Sequence, residues 1–251
     1  MRILSALTGR RRRLTTEPRL RPSRLPRPGP TVARALLIAL GLGALGIGLN
    51  NLFVPTALQA DSVVQLVGKA YLEQLADFDR HPLLIRSHAA MGSLFVLVAA
   101  FQFWPAMRRR YRQAHRWIGY AGLALLVALP VTGVVATLVY PFAGLAGVWP
   151  NVIWMIAIVY CAVQAFRAAR ERDFAGHEIW VTRAAGMTVG ITLSRLYGPL
   201  LVHFAHMDTR TMTALIFWLG QGEGLIAAEI WLRRADGPVA HLARMKARGR
   251  A

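Results

Sequence analysis

Six of the seven histidines sit at the edges of apolar blocks, where an imidazole can reach both a helix-bundle interior and water. His115 (in Gln113-Ala114-His115-Arg116-Trp117-Ile118-Gly119-Tyr120) opens one block. His177 (in Gly176-His177-Glu178-Ile179-Trp180) opens another on the same side. His81 and His88 lie at the start of a block on the opposite side, and His203 and His206 close one there. Sorted by side, they form an inner pair, His115 with His177, and an outer group, His88 with His203, His206 or His81. Two histidines on facing helices are an axial ligand set for haem iron, and bundle cofactors are held by inward side chains of this kind. A neutral imidazole also serves a divalent metal or a proton relay, and an interfacial histidine needs neither. His241 alone lies in a polar tail, and no thiolate site, Ser/His/Asp arrangement or HExxH motif accompanies the histidines.

Two arginines stand beside them in one apolar stretch, Arg183 and Arg195. An ionisable group inside a bilayer costs at least ~2.5–3.5 kcal/mol, so each calls for a partner. His177 and Arg195 are separated by 18 positions, five helical turns, which puts them on one helix face about 27 Å apart. That face is expected to turn towards protein. The next block carries Gln221, Glu223 and Glu229. By depth Glu229 matches Arg183, and Gln221 or Glu223 falls closer to Arg195. Such groups either fix helix packing as buried ion pairs or form a polar path or a site for a propionate, phosphate or quinone oxygen.

The elements that must position these residues are membrane helices. The chain is 55% hydrophobic and 17% charged over 251 residues, against about 45–50% and about 25% for soluble domains. A span needs about 20 apolar residues, and six blocks qualify: 35–54, 83–104, 117–140, 149–166, 179–202 and 211–232. Trp104, Trp117, Tyr140, Trp149, Trp180 and Trp231 fall near their ends, where amphipathic rings prefer to sit. The expected fold is all-α, a polytopic integral membrane protein of about six transmembrane helices with a four-helix core from the second to fifth.

Orientation follows from the basic residues. Of the 30 Lys and Arg, 24 lie in residues 1–34, 105–116, 167–177 and the segment after Leu232; the alternate connections hold only Lys69, Arg80 and Arg210. The positive-inside rule then puts both termini in the cytoplasm and the chain in the inner (plasma) membrane. The net charge of +18 is thereby assigned to anionic lipid headgroups, and no nucleic-acid partner is expected. Residues 1–34, with Arg10-Arg11-Arg12-Arg13, read as a disordered basic arm, 35–232 as the membrane domain, and 233–251 as a basic tail. Val63, Val64, Val67, Ala70, Tyr71 and Leu75 in the external connection 56–82 approximate one helical face, as of a short helix on the membrane surface. Gly41-Leu42-Gly43-Ala44-Leu45-Gly46 matches GxGxxG but lies inside a span, where small residues let helices approach.

Several of these segments share a pattern with known proteins. Ser87-His88 to Phe103, Met107-Arg108-Arg109-Arg110 to His115-Arg116-Trp117-Ile118-Gly119, Gly176-His177 to Arg183, and Thr192-Leu193-Ser194-Arg195-Leu196 resemble a family of bacterial membrane proteins catalogued as domain of unknown function 2306. The resemblance covers roughly residues 83–202 and implies that His88, His115, His177, Arg183 and Arg195 are signature positions, without supplying an activity. Tyr120 directly after Gly119, and Val181 in place of a methionine, depart from the pattern. His81-Pro82-Leu83-Leu84 and His115-Arg116-Trp117-Ile118-Gly119 also resemble, more distantly, short segments of the cytochromes b of the five-sixty-one type, six-span proteins with two haems in a four-helix core.

The expected activity is haem b binding with membrane electron transfer. His115 and His177 would be the inner ligand pair and His88 with His203 the outer. Arg183 and Arg195 would position propionates or an electron donor. Two other classes compete: a non-enzymatic transporter or small-molecule-binding membrane protein, with Pro130 and Pro199 marking broken helices, and an assembly or structural subunit. A haem spectrum separates the first from both.

Overall fold

A computed structural model of the chain describes residues 30–234 and 238–239; most of the expected basic arm and tail, with His241, lies outside the described residues. Among the described residues nine helices follow in order: α1 Pro30–Phe53, α2 Thr56–Val67, α3 Tyr71–Arg80, α4 Pro82–Phe103, α5 Pro105–Arg110, α6 Arg112–Val139, α7 Gly144–Arg170, α8 Phe174–Phe204 and α9 Thr209–Leu232. The protein is an all-α polytopic membrane protein, as its composition requires. Among the described residues four helices, α4, α6, α7 and α9, are both long and apolar enough to cross a membrane. α8 has 31 residues, about 46 Å of helix, but His177, Glu178, Arg183 and Arg195 interrupt its apolar run. In α1 the apolar portion is Gly41–Phe53.

The helices outrun the apolar blocks because backbone groups at the membrane edge still need internal partners. α6 therefore starts at Arg112 rather than Trp117, and α7 at Gly144, where a φ of +60° suits glycine. Connection 56–82 holds two short helices rather than one, broken at Gly68, whose φ of +90° ends α2.

Side chains from α4, α6, α7 and α8 make the central core: Phe95 and Val98, Leu125, Leu126 and Leu129, Ile158, Cys161 and Ala162, and Ala184, Ala185 and Met187. This is the expected four-helix core. α1 packs on α4, and α9 packs chiefly on α8 in the most extensive helix pair of the fold.

The two ends of the bundle differ. At the basic end lie α5, the α7–α8 turn and Arg233. At the cap end α2 and α3 dock on the α8–α9 turn and the α6–α7 loop. The last four carbonyls of a helix lack partners within it, and α2 finds them far along the chain: His203 Nε2 bonds the Gln65 carbonyl at 2.9 Å and Thr209 Oγ1 the Val67 carbonyl at 2.6 Å. Arg210 pairs with Glu73, and Tyr71 and Phe78 meet Phe142 and Tyr140 edge-on.

α8 and α9 approach more closely than ordinary side chains allow. A Cβ on Gly190 would overlap the Gly220 carbonyl oxygen, one on Gly224 the Gly186 carbonyl oxygen, and one on Gly186 would lie 2.6 Å from the Gly224 oxygen. Two four-residue glycine repeats, Gly186/Gly190 and Gly220/Gly224, thus face each other, with Ser194 and Ala228 extending the seam. Bilayers offer helices no hydrophobic drive to associate, so close backbone packing of this kind supplies the attraction. The GxGxxG of α1 does no such work: among the described residues nothing lies near a Cβ at Gly43 or Gly46, and the close contact on α1 is Gly48 against Ser93.

Candidate functional site

At the basic end, local chemistry fixes both inner histidines. Gln102, in the last turn of α4, donates through Nε2 to the His115 carbonyl at 3.0 Å and so ties the first turn of α6 to α4. Gly119, one turn later, lies beside that amide, and a Cβ there would make an ordinary contact with its Oε1 at 3.5 Å. On α8, Asp173 caps the helix by accepting from the Gly176 N–H at 2.9 Å, and a side chain at 176 would strike the Asp173 carboxylate. Asp173→Ala is expected to cost about 1 kcal/mol, read as a lower melting temperature of the detergent-solubilised protein.

The cap delivers His177 to α7, where Nδ1 lies 2.9 Å from the Ala165 carbonyl. A carbonyl only accepts, so Nδ1 carries the proton and Nε2 of the neutral ring keeps its lone pair. His115 and His177 are close enough to interact electrostatically. His115 Nδ1 is buried and has no hydrogen-bond partner among the described residues. Arg108 and Glu178 form a half-exposed pair at 3.6 Å beside them.

Deeper in the bundle, Arg183 Nε donates to Glu229 Oε1 at 2.6 Å, and Arg233 holds the second oxygen at 2.9 Å. The Arg183 guanidinium also lies over Trp180, 4.9 Å from the ring centroid. The depth match between Arg183 and Glu229 therefore holds. Glu223, placed by depth near Arg195, accepts at Oε1 from the hydroxyl of nearby Tyr197 at 3.1 Å, and makes no ion pair with Arg195 among the described residues. Arg195 is exposed and makes no hydrogen bond or ion pair among the described residues, so the His177–Arg195 face is not turned to protein along its whole length.

The outer histidines do not converge. His88 Nδ1 bonds Thr132 Oγ1 on α6 at 2.9 Å, and Arg195 acts on this ring electrostatically. His203 is taken by the α2 carbonyl, His81 stacks on Tyr140, and His206 sits exposed in the turn with a φ of +50°. No cluster of three or more His, Cys, Asp or Glu side chains suited to a metal ion occurs among the described residues.

A family model described as a predicted membrane protein (DUF2306) matches residues 85–232, more than half of the chain. The chain belongs to the DUF2306 family. No curated protein and no solved structure matches it. The DUF2306 match extends beyond the 83–202 resemblance to the end of α9. It takes in the whole α8–α9 seam and Glu229, and it leaves out α1 to α3. His88, His115, His177, Arg183 and Arg195 all fall within it. The seam was readable in advance, since Gly-x-x-x-Gly recurs in both blocks, but the GxGxxG of the first block is the more conspicuous motif. Gln102 carried no warning signal, being an uncharged residue in an apolar run.

Proposed function

We propose that this DUF2306 protein is a six-span protein of the inner membrane, its basic end and both chain termini cytoplasmic, that holds haem b at His115 and His177. The observation that carries this reading is the state of the two rings. Nδ1–H of His177 is spent on a backbone carbonyl, the outer-shell bond that fixes a ligating histidine's tautomer and leaves Nε2 for iron. Its neighbour His115 has a buried nitrogen without a hydrogen-bond partner among the described residues. When bound, haem would supply one-electron exchange, and the chain supplies ligation and a low-dielectric surround. Orientation rests on the basic residues that gather at one end, with α5 and the α7–α8 turn among them.

Arg183 is committed to Glu229 and Trp180 and is left out of the site. At the cap end His88 and His203 take separate partners, so no second ligand pair is proposed.

Oxidised and dithionite-reduced spectra of protein purified from haem-replete cells test the reading. A Soret band with sharp reduced α and β bands at near-stoichiometric haem is expected. It should be lost in His115→Ala and His177→Ala and kept in His241→Ala. A folded, colourless wild type, or haem that survives both substitutions, sinks the proposal and leaves transport or assembly.

A further inference from the structure

Arg195 is a charge deep in the bundle that the fold leaves uncompensated. Its neighbour Ser194 packs against Gly220, near the middle of α9, a helix long and apolar enough to cross a membrane. That level lies about 16 Å along α9 from Thr209, well inside the hydrocarbon. Ionisable groups at such depth are paired or mark a functional site. Arg183, on the same helix, is paired with Glu229. Arg195 is exposed and makes neither a hydrogen bond nor an ion pair among the described residues. Glu223 lies on the other side of α8, because its partner Tyr197 stands two positions from Arg195, about 200° around the helix.

His88 on α4, the ring on which Arg195 acts, brings no negative charge. Thr132 Oγ1 donates its proton to the Leu129 carbonyl at 2.9 Å, so it accepts from His88 Nδ1. Nε2 of the neutral ring keeps a lone pair without a partner among the described residues. The bundle wall is loose here. α4 and α8 barely meet, and α1, which lies along α4, touches α8 at few points. Arg195 therefore reaches towards His88 across a gap between helices.

We propose that this gap admits a single-chain amphiphile with a carboxylate head, a fatty-acid anion, and that Arg195 holds the carboxylate. A planar guanidinium matches a carboxylate in a two-bond fork, and one charge cancels the other. A water would bond the guanidinium but leave its charge uncompensated. A phospholipid phosphate would have to draw its esters and headgroup into hydrocarbon along with it. A fatty acid has no other polar group, and its chain meets only apolar helix faces and the bilayer. The proposal rests on α8 lying across the membrane, and nothing in it depends on haem.

The test titrates laurate, and dodecanol as its uncharged counterpart, against the melting temperature of the full chain in neutral detergent at alkaline pH. Saturable stabilisation by laurate is expected, with an apparent Kd roughly tenfold or more weaker in Arg195→Gln. Arg195→Lys, which keeps the charge, should lose less. Arg86→Gln, a second exposed arginine of the same half, should bind as wild type does, and dodecanol should show no saturable effect. Without laurate, Arg195→Gln should melt no lower than wild type, since no protein partner is lost. A clearly lower melting temperature there would overturn the proposal. So would a laurate effect unchanged in Arg195→Gln, an equal loss in Arg86→Gln, or no saturable shift at all. Acetate or phosphatidylglycerol replacing laurate in an Arg195-dependent effect would overturn it too, as a site for a soluble anion or a lipid phosphate.

Discussion

Gly190→Leu should abolish a monodisperse, folded preparation, and even Gly190→Ala should lower the melting temperature sharply. The reason is geometric. A Cβ at 190 falls on the Gly220 carbonyl oxygen, which belongs to a helix backbone and cannot rotate aside as a side chain would. The helices must separate, and separation removes the close contacts of the seam together with the alignment of Arg183 with Glu229. Overpacking in a core costs about 1–3 kcal/mol where side chains can shift; a backbone collision belongs at or above the top of that range. Gly224→Leu meets the Gly186 oxygen and should behave alike. Gly43→Leu and Gly46→Leu on α1, which enter open space, should leave size-exclusion profiles and melting curves near wild type. Comparable damage at Gly43 and Gly190 would refute the seam as the main attachment of α9.

The second large effect is expected at Arg183. Arg183→Met leaves Glu229 facing only Arg233, whose side chain is 70% exposed. Arg183 and Glu229 are themselves about a quarter exposed, so the about 3–5 kcal/mol lost when one partner of a buried pair is removed, largely because the other charge stays behind, is an upper bound here. The double variant Arg183→Met with Glu229→Gln removes both charges and should recover most of that loss, since neutral replacements of such pairs are often tolerated. Thermal melts of the two single variants and the double give the coupling. A double variant no more stable than Arg183→Met would mean that Arg183 acts through Trp180 or another contact. Haem content, if present, should follow stability and not the charge itself.

Much of the fold was legible because membrane helices announce themselves by apolar length. All six expected blocks are helices, and aromatic residues such as Trp104 and Tyr140 do mark ends. The ends were off by several residues because apolar character stops at the headgroups and hydrogen bonding does not. Asp173 extends α8 five residues ahead of Ile179 by capping it. Legibility at the site followed the kind of force involved. Arg183 with Glu229 could be matched by depth, since opposite charges in hydrocarbon must meet. Glu223 could not, because its partner is the hydroxyl of Tyr197, which depth and charge leave unmarked. The outer histidines misled for a related reason: His203 is drawn to a helix-end carbonyl of α2, and backbone carbonyls are invisible in a list of side chains.

The cap also bears on how the molecule is made. The partners that hold α2 and α3, His203, Thr209 and Arg210, lie 137 to 142 positions later in the chain. At roughly 5–20 residues per second of synthesis, the cap waits about 7–28 s for them. During that interval the helix-end carbonyls of α2 stay solvated and Glu73 has no cation. Only the arrival of the α8–α9 turn supplies these partners, so that turn is also the latch of the cap.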